Sequence, residues 1–268
     1  MFIRSYGTTA HPNILGGFLA LGVVSSFYLF LKVKSFISRF FLSFAISLEF
    51  FALLITFSRS ALLGLFLACV VFFFLEFFKQ KDSSVKRLFF VTTIGFIVSF
   101  TLVSPQMLFR AGLYSGGDKQ QTKTFKEAES GRILLQNLSY RMFKDSPVLG
   151  VGFKNFVIRM DDFLQEEEKS KVERQVVHNV SLLILAETGL IGLLPFLIFL
   201  FSLVIPLLKS EASYERSALI SLFVVLAFVS LCDHYLVLSQ TGRMAFFLVM
   251  GLITLYVNRS NKKAAQLL

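Results

Sequence analysis

Three side chains stand where they could do chemistry. Arg59 interrupts an apolar stretch that runs from Phe40 to Phe78. Its planar, permanently charged fork is suited to binding phosphate oxygens in pairs, although an arginine that only ends two helices would snorkel to water in the same place. His178 opens a later apolar run, in a chain with only 3 histidines. Near neutral pH an imidazole can take a proton from an attacking hydroxyl; a histidine capping a helix at an interface is the equal alternative. Arg132 begins a helical pattern, where a solvated arginine is the ordinary finding, and Arg141 and Lys144 follow on the same segment as competitors for its role. No Asp, Glu, His or Cys residues cluster with ligand spacing, so the sequence predicts no metal site and no cofactor.

The elements that must position these groups are apolar helices. Of the 268 residues, 55% are apolar and 16% charged, with 34 Phe, no Trp and a mean hydropathy of +0.70. Charged residues make up about a quarter of an ordinary soluble domain, so that class is excluded. Cys69 and Cys232 lie inside apolar runs, which excludes a disulfide scaffold. The net charge of +10 suits nucleic acid in principle, but in a membrane protein it first marks the cytoplasmic loops; no nucleic-acid partner is expected. A helix needs about 20 apolar residues to cross a bilayer, and on that criterion the sequence predicts seven spans, at 13–31, 40–57, 60–78, 88–104, 180–208, 217–233 and 244–257. The fifth is longer than a bilayer requires at about 1.5 Å per residue. It should tilt, protrude or kink near Gly189, Gly192 and Pro195, with part of it outside the membrane.

Loop charges give the orientation. Lys32, Lys34 and Arg39, then Lys79, Lys81, Lys86 and Arg87, then Arg259, Lys262 and Lys263 fall on one side. The positive-inside rule makes that side cytoplasmic, with the N-terminus outside and the C-terminus inside. Four spans in 1–104 then precede an external segment, 105–177, and three spans with a short tail fill 178–268. Within the external segment, 115–126 is polar and without period and reads as a loop. A helix is predicted at 130–145, capped by Ser130, with Leu134, Leu135, Leu138 and Met142 as its apolar stripe and Arg132, Gln136 and Ser139 on another face. Gly150 and Gly152 make a tight turn, and an acidic run from Asp161 to Glu173 leads back to His178.

The order of TFSRSALLG (56–64), SGRILLQ (130–136), DSPVLGVGFKNF (145–156) and HNVSLLILAETGLIGLL (178–194) resembles the O-antigen ligase and polymerase superfamily. RSYGTTAHPNILGGFLA (4–20) is similar to the stretch that opens the C-terminal half of such proteins. The resemblance implies an all-α polytopic membrane glycosyltransferase of the bacterial cytoplasmic membrane. Its donor would be a glycan on a polyprenyl diphosphate, its acceptor a hydroxyl of lipid A core, a growing polysaccharide or a protein, and the reaction would take place on the outer face. It also implies roles: Arg59 and Arg132 hold the diphosphate, His178 is the base and Asn179 orients it or caps the helix. Detaching a glycan from a diphosphate leaves a polyanion, which arginines neutralise without metal. The competing classes are a carrier or transporter of lipid-linked glycan that binds without turnover, and an inactive fragment, since family members usually carry more spans ahead of this region. Ligase and polymerase are not separable from sequence.

Other polar groups rank lower. Glu49 lies within a span, where a charge is costly and points to function or to a partner in the bundle. Glu187 is read as bracing the kinked helix and His11 as the lead-in to the first span. Asp233 and His234, at the outer end of the sixth span, are kept as minor candidates for reaching the acceptor.

Overall fold

The computed structural model describes residues 5–77, 83–110 and 119–266. Those residues form helices and turns, with no strand among them: α1 (Pro12–Lys32), α2 (Phe36–Thr56), α3 (Arg59–Phe77), α4 (Ser83–Arg110), α5 (Lys119–Asp145), the single turns α6 (Met160–Phe163) and α7 (Glu166–Lys169), α8 (Val180–Lys209), α9 (Tyr214–Cys232), the single turn α10 (Tyr235–Leu238) and α11 (Gln240–Gln266). Seven of these are long and apolar enough to cross a membrane: α1, α2, α3, α4 as far as Pro105, α8, α9 and α11 as far as Lys263. They coincide with the seven spans expected from sequence. The second begins earlier than read, because Ser38 and Arg39 sit in its first turn and an arginine there keeps its head near water.

The chain divides into two compact units. The first comprises Met1–Met107, Leu203–Val229 and Gln240–Leu268. Here α1 packs on α2 and α3, and small residues allow it. A Cβ on Gly16 would stand 2.8 Å from Cβ of Ser58, and one on Gly22 would stand 2.9 Å from a Glu49 carboxylate oxygen. Between helices in lipid, close backbone approach and dispersion replace the hydrophobic drive. Glu49 accepts a hydrogen bond from the Ser26 hydroxyl at 3.2 Å, so this intramembrane carboxyl has its partner in the bundle. Phe27, Phe72 and Phe73 stack edge to face and at tilts between α1 and α3. His11 caps α1, its Nδ1 accepting the Asn13 N–H at 3.1 Å, in keeping with a lead-in role.

The second unit comprises Leu108–Ser202 and Ser230–Ser239. Its core joins Leu135, Leu138 and Met142 of α5 to Val151, Phe156, Met160, Val177, Leu183 and Ala186. Three of the four residues of the stripe expected on the 130–145 helix are therefore buried, and Leu134 is half-buried. Two details differ. Helix α5 begins at Lys119 instead of Ser130, because the Lys, Gln, Glu and Ala residues of 119–129 have good helix propensity that polarity alone conceals; residues 115–118 of the expected loop lie outside the described residues. Ser139 is buried, its hydroxyl satisfied by the Leu135 carbonyl one turn back at 2.8 Å.

Candidate functional site

The AETG and PVLGVG motifs build one backbone structure. Helix α8 breaks at Gly189, whose φ of 60° and ψ of −155° lie in a region that is essentially glycine-only. In a continuous helix the N–H groups of Leu190 and Ile191 would bond the carbonyls of Ala186 and Glu187. All four groups are instead taken by the turn after α5. Val151 N–H donates to Ala186 and Gly152 N–H to Glu187, each at 2.9 Å, while Leu190 N–H donates to Pro147 at 2.9 Å and Ile191 N–H to Val148 at 3.2 Å. The Glu187 carboxylate then reaches back, accepting from the backbone N–H of Lys154 at 3.0 Å and of Phe156 at 3.3 Å. Glu187 thus braces the break, and of the three expected positions the kink falls at Gly189.

The segment of α8 beyond the break, Leu190 to Lys209, is by itself about 30 Å long at 1.5 Å per residue, the thickness of a hydrocarbon core. The short stretch before it, from Val180 to Thr188, packs in the core of the second unit through Leu183 and Ala186. This is the part that carries His178 at its head.

His178 meets two residues that sequence had ranked low. Its Nδ1 lies 3.6 Å from a carboxylate oxygen of Asp233, and Nδ1 of His234 lies 3.7 Å from the same oxygen. The two imidazole rings face each other with centroids 4.8 Å apart. Asp233 is 4% exposed and accepts the backbone N–H of His234 at 2.8 Å. At 3.6 Å the His178 contact is not yet a hydrogen bond, and His178 Nδ1 is buried with no other hydrogen-bond partner. Asn179 fixes the meeting: its side-chain oxygen accepts the Leu182 N–H at 2.9 Å, capping α8, and its amide donates to the Leu231 carbonyl at 3.1 Å. It is both cap and tether, tying the head of α8 to the segment that carries Asp233.

A buried carboxylate facing Nδ1 favours the tautomer with its proton on that nitrogen and leaves Nε2 as the acceptor for a substrate proton. The same three residues offer donor atoms within 4.8 Å of one another, a set that could be drawn onto a transition-metal ion as three ligands. Linear spacing gave no sign of this grouping, because Asp233 and His234 lie 55 and 56 positions from His178. The available signal was an ionisable pair at the end of an apolar span.

The arginines are placed differently from one another. Arg132, exposed on α5, is near enough to Cys232 for its charge to act there, next in sequence to Asp233. Arg141 is held by Glu168 in a paired contact, at 2.6 and 2.9 Å, and donates to the Phe163 carbonyl at 3.0 Å. Hydrogen bonds from Arg141, then from the Gln165 backbone, hold the Glu168 carboxyl down at about 2. Arg59, in the other unit, is the exposed first residue of α3, after a turn in which Phe57 is left-handed and Ser58 is buried.

Helices, spans and site together define a multi-pass, all-α membrane protein with a buried carboxylate between two histidines at the edge of a broken span. Residues 42–197 match the sequence profile of a family described as O-antigen ligase, which covers more than half of the chain. The chain belongs to the O-antigen ligase family, and so to the membrane proteins of polysaccharide biosynthesis. No curated protein matches it. The matched stretch includes Arg59, Arg132, Arg141, His178 and Asn179 and ends before Asp233 and His234.

Proposed function

We propose that this protein transfers a glycan from a polyprenyl-diphosphate donor to an acceptor hydroxyl on the outer face of the bacterial cytoplasmic membrane. In this reading Nε2 of His178 takes the acceptor proton as the hydroxyl attacks the anomeric carbon, and the diphosphate leaves with its bonding electron pair. Asp233 closes its short gap to Nδ1 and stabilises the imidazolium as it forms, as catalytic contacts tighten once substrate binds. Arg132 holds diphosphate oxygens, Asn179 keeps His178 in register, and Arg141 serves the fold by bracing α7. The acceptor is lipid A core, a growing polysaccharide or a protein. The observation that supports base catalysis most is the approach of His178 Nδ1 to the buried Asp233 carboxylate.

The reading is metal-independent, and the test addresses that directly. Purified protein in vesicles is given polyprenyl-diphosphate glycan and acceptor, with EDTA in one arm and added zinc in another. Undiminished transfer with EDTA supports the histidine base; loss with EDTA and recovery with zinc makes the three residues metal ligands. Donor binding with no transfer in any arm makes the protein a carrier. Labelling a Glu167→Cys variant with an impermeant maleimide in intact cells tests the outer face, and labelling confined to permeabilised cells reverses the orientation.

A further inference from the structure

The turn that fills the break in α8 carries apolar side chains that nothing in the second unit covers. Leu149 is 67% exposed, Phe153 69% and Val148 56%, with Ile158 at 72% a few residues on. An extramembrane loop normally presents polar residues to water, and a contiguous apolar surface marks an interaction site. Where this surface lies follows from the helix it is bonded to. Leu190 begins the membrane-length segment of α8, and its N–H and that of Ile191 are bonded to Pro147 and Val148. Ile191, Leu194 and Ile198, exposed along that segment, form the lipid face of a span. The apolar residues of the turn therefore continue that face at the edge of the hydrocarbon core.

The backbone of the turn is tied to α8 on both sides of the break. In this turn the N–H groups of Gly150, Val151, Gly152, Lys154, Asn155 and Phe156 all donate within the unit, to Ser146, Ala186, Glu187 and its carboxylate, and Gly152. The Pro147 and Val148 carbonyls accept from α8, and the Val151 carbonyl accepts from the Asn155 amide. Lys154, whose ammonium lies 5.6 Å from the centre of the Phe153 ring, has a stem long enough to carry its charge up to the headgroups.

We propose that residues 147–158 are a membrane-embedded turn, with Val148, Leu149, Phe153 and Ile158 lying among the lipid acyl chains of the leaflet in which α8 begins. The occupant of the apolar surface is lipid, and the turn is part of the membrane anchor of the second unit.

Environment-sensitive fluorescence tests this. Cysteines are introduced singly by Leu149→Cys, Phe153→Cys and, for reference, Glu167→Cys, in a background carrying Cys69→Ala and Cys232→Ala. Each variant is labelled with a nitrobenzoxadiazole probe in phosphatidylcholine vesicles. Labels at 149 and 153 emit at shorter wavelength than the label at 167, lose intensity with doxyl-labelled lipid and resist iodide. If iodide quenches 149 and 153 as it quenches 167, the surface faces water and the proposal fails. The wild-type chain gives a second readout: in vesicles containing a lipid with a diazirine in its acyl chain, photo-adducts map to 147–158 as well as to 191–198. Adducts in 191–198 without any in 147–158 overturn the assignment.

Discussion

The joint at Gly189 and the cluster at His178 lie on one stretch of chain and are built in opposite ways. The joint is made of backbone. Four main-chain hydrogen bonds and a doubly bonded Glu187 carboxylate lock two segments together, leaving no room for a Cβ. The cluster is made of side chains held slightly apart, with Nδ1 of His178 and of His234 at 3.6 and 3.7 Å from one buried oxygen. Complete satisfaction produces rigidity, and polar groups poised short of contact have interaction energy left to gain when charge develops. The joint therefore sets position and the cluster is left with the reaction, and substitutions should divide along that line.

The largest expected effect is on the joint. A Cβ at Gly189 would stand 2.4 Å from the Val148 carbonyl oxygen, and one at Gly150 2.4 Å from the Glu187 carbonyl carbon; backbone cannot step aside as a side chain can. Gly189→Ala should therefore destabilise by about 3 kcal/mol or more, read as loss of folded protein in the membrane. Wild-type thermal stability in that variant would break the comparison at its firmer end. Next, His178→Ala should lower turnover by about 10²–10⁴ while leaving donor binding and the unfolding temperature nearly unchanged. A variant that unfolds early would move His178 to the structural side. Asp233→Asn should be milder: losing a charge-assisted contact worth about 1.5–3 kcal/mol corresponds to about 10–100-fold in turnover. A shift in the pH profile should accompany it, because Asn stabilises imidazolium less than a carboxylate does.

The smallest effect belongs to the brace. Arg141→Ala should cost about 1 kcal/mol, since the pair is partly solvated and salt screens it. Its pH dependence has a definite sign. The Glu168 carboxyl is depressed from 4.5 to about 2 in the folded state, so its stabilisation is present above pH 4.5 and is lost as pH falls from there toward 2. Unfolding curves recorded across that interval should converge for wild type and Arg141→Ala at the acid end. A difference that persists at pH 2 would show that Arg141 stabilises through packing instead.

The spans could be read because a bilayer demands long apolar runs and little else resembles them. The excess length of the fifth span was legible because 180–208 is more than a bilayer requires, and tilt, protrusion and a kink were all open ways to absorb it. The stripe on α5 was legible through its period, but its start was not: polar residues of good helix propensity look alike in loop and helix. The reach of Arg141 to Glu168 depends on how α7 folds back, which no local pattern encodes. Asp233 and His234 stayed in the background because their value comes from His178, which only the fold brings beside them. Glu187 is the instructive middle case. A buried acid beside a helix-breaking Gly could be read as structural, yet the backbone donors it serves belong to a motif 31 to 33 residues earlier.

The interlock at Gly189 also sets which changes of length the chain can absorb. Its partners are paired residue by residue, so one residue inserted between Pro147 and Gly152, or between Ala186 and Ile191, would offer each donor the wrong acceptor and undo the set. The connection that follows α7 is under less restriction. Lengthening a connection costs little entropy, about 0.6 kcal/mol for each doubling, and the exposed Ser170 and Lys171, just past α7, mark where added residues would extend into water. Insertions of several residues after Lys171 should therefore leave expression and unfolding temperature close to wild type, whereas a single inserted alanine after Leu149 should remove the folded protein.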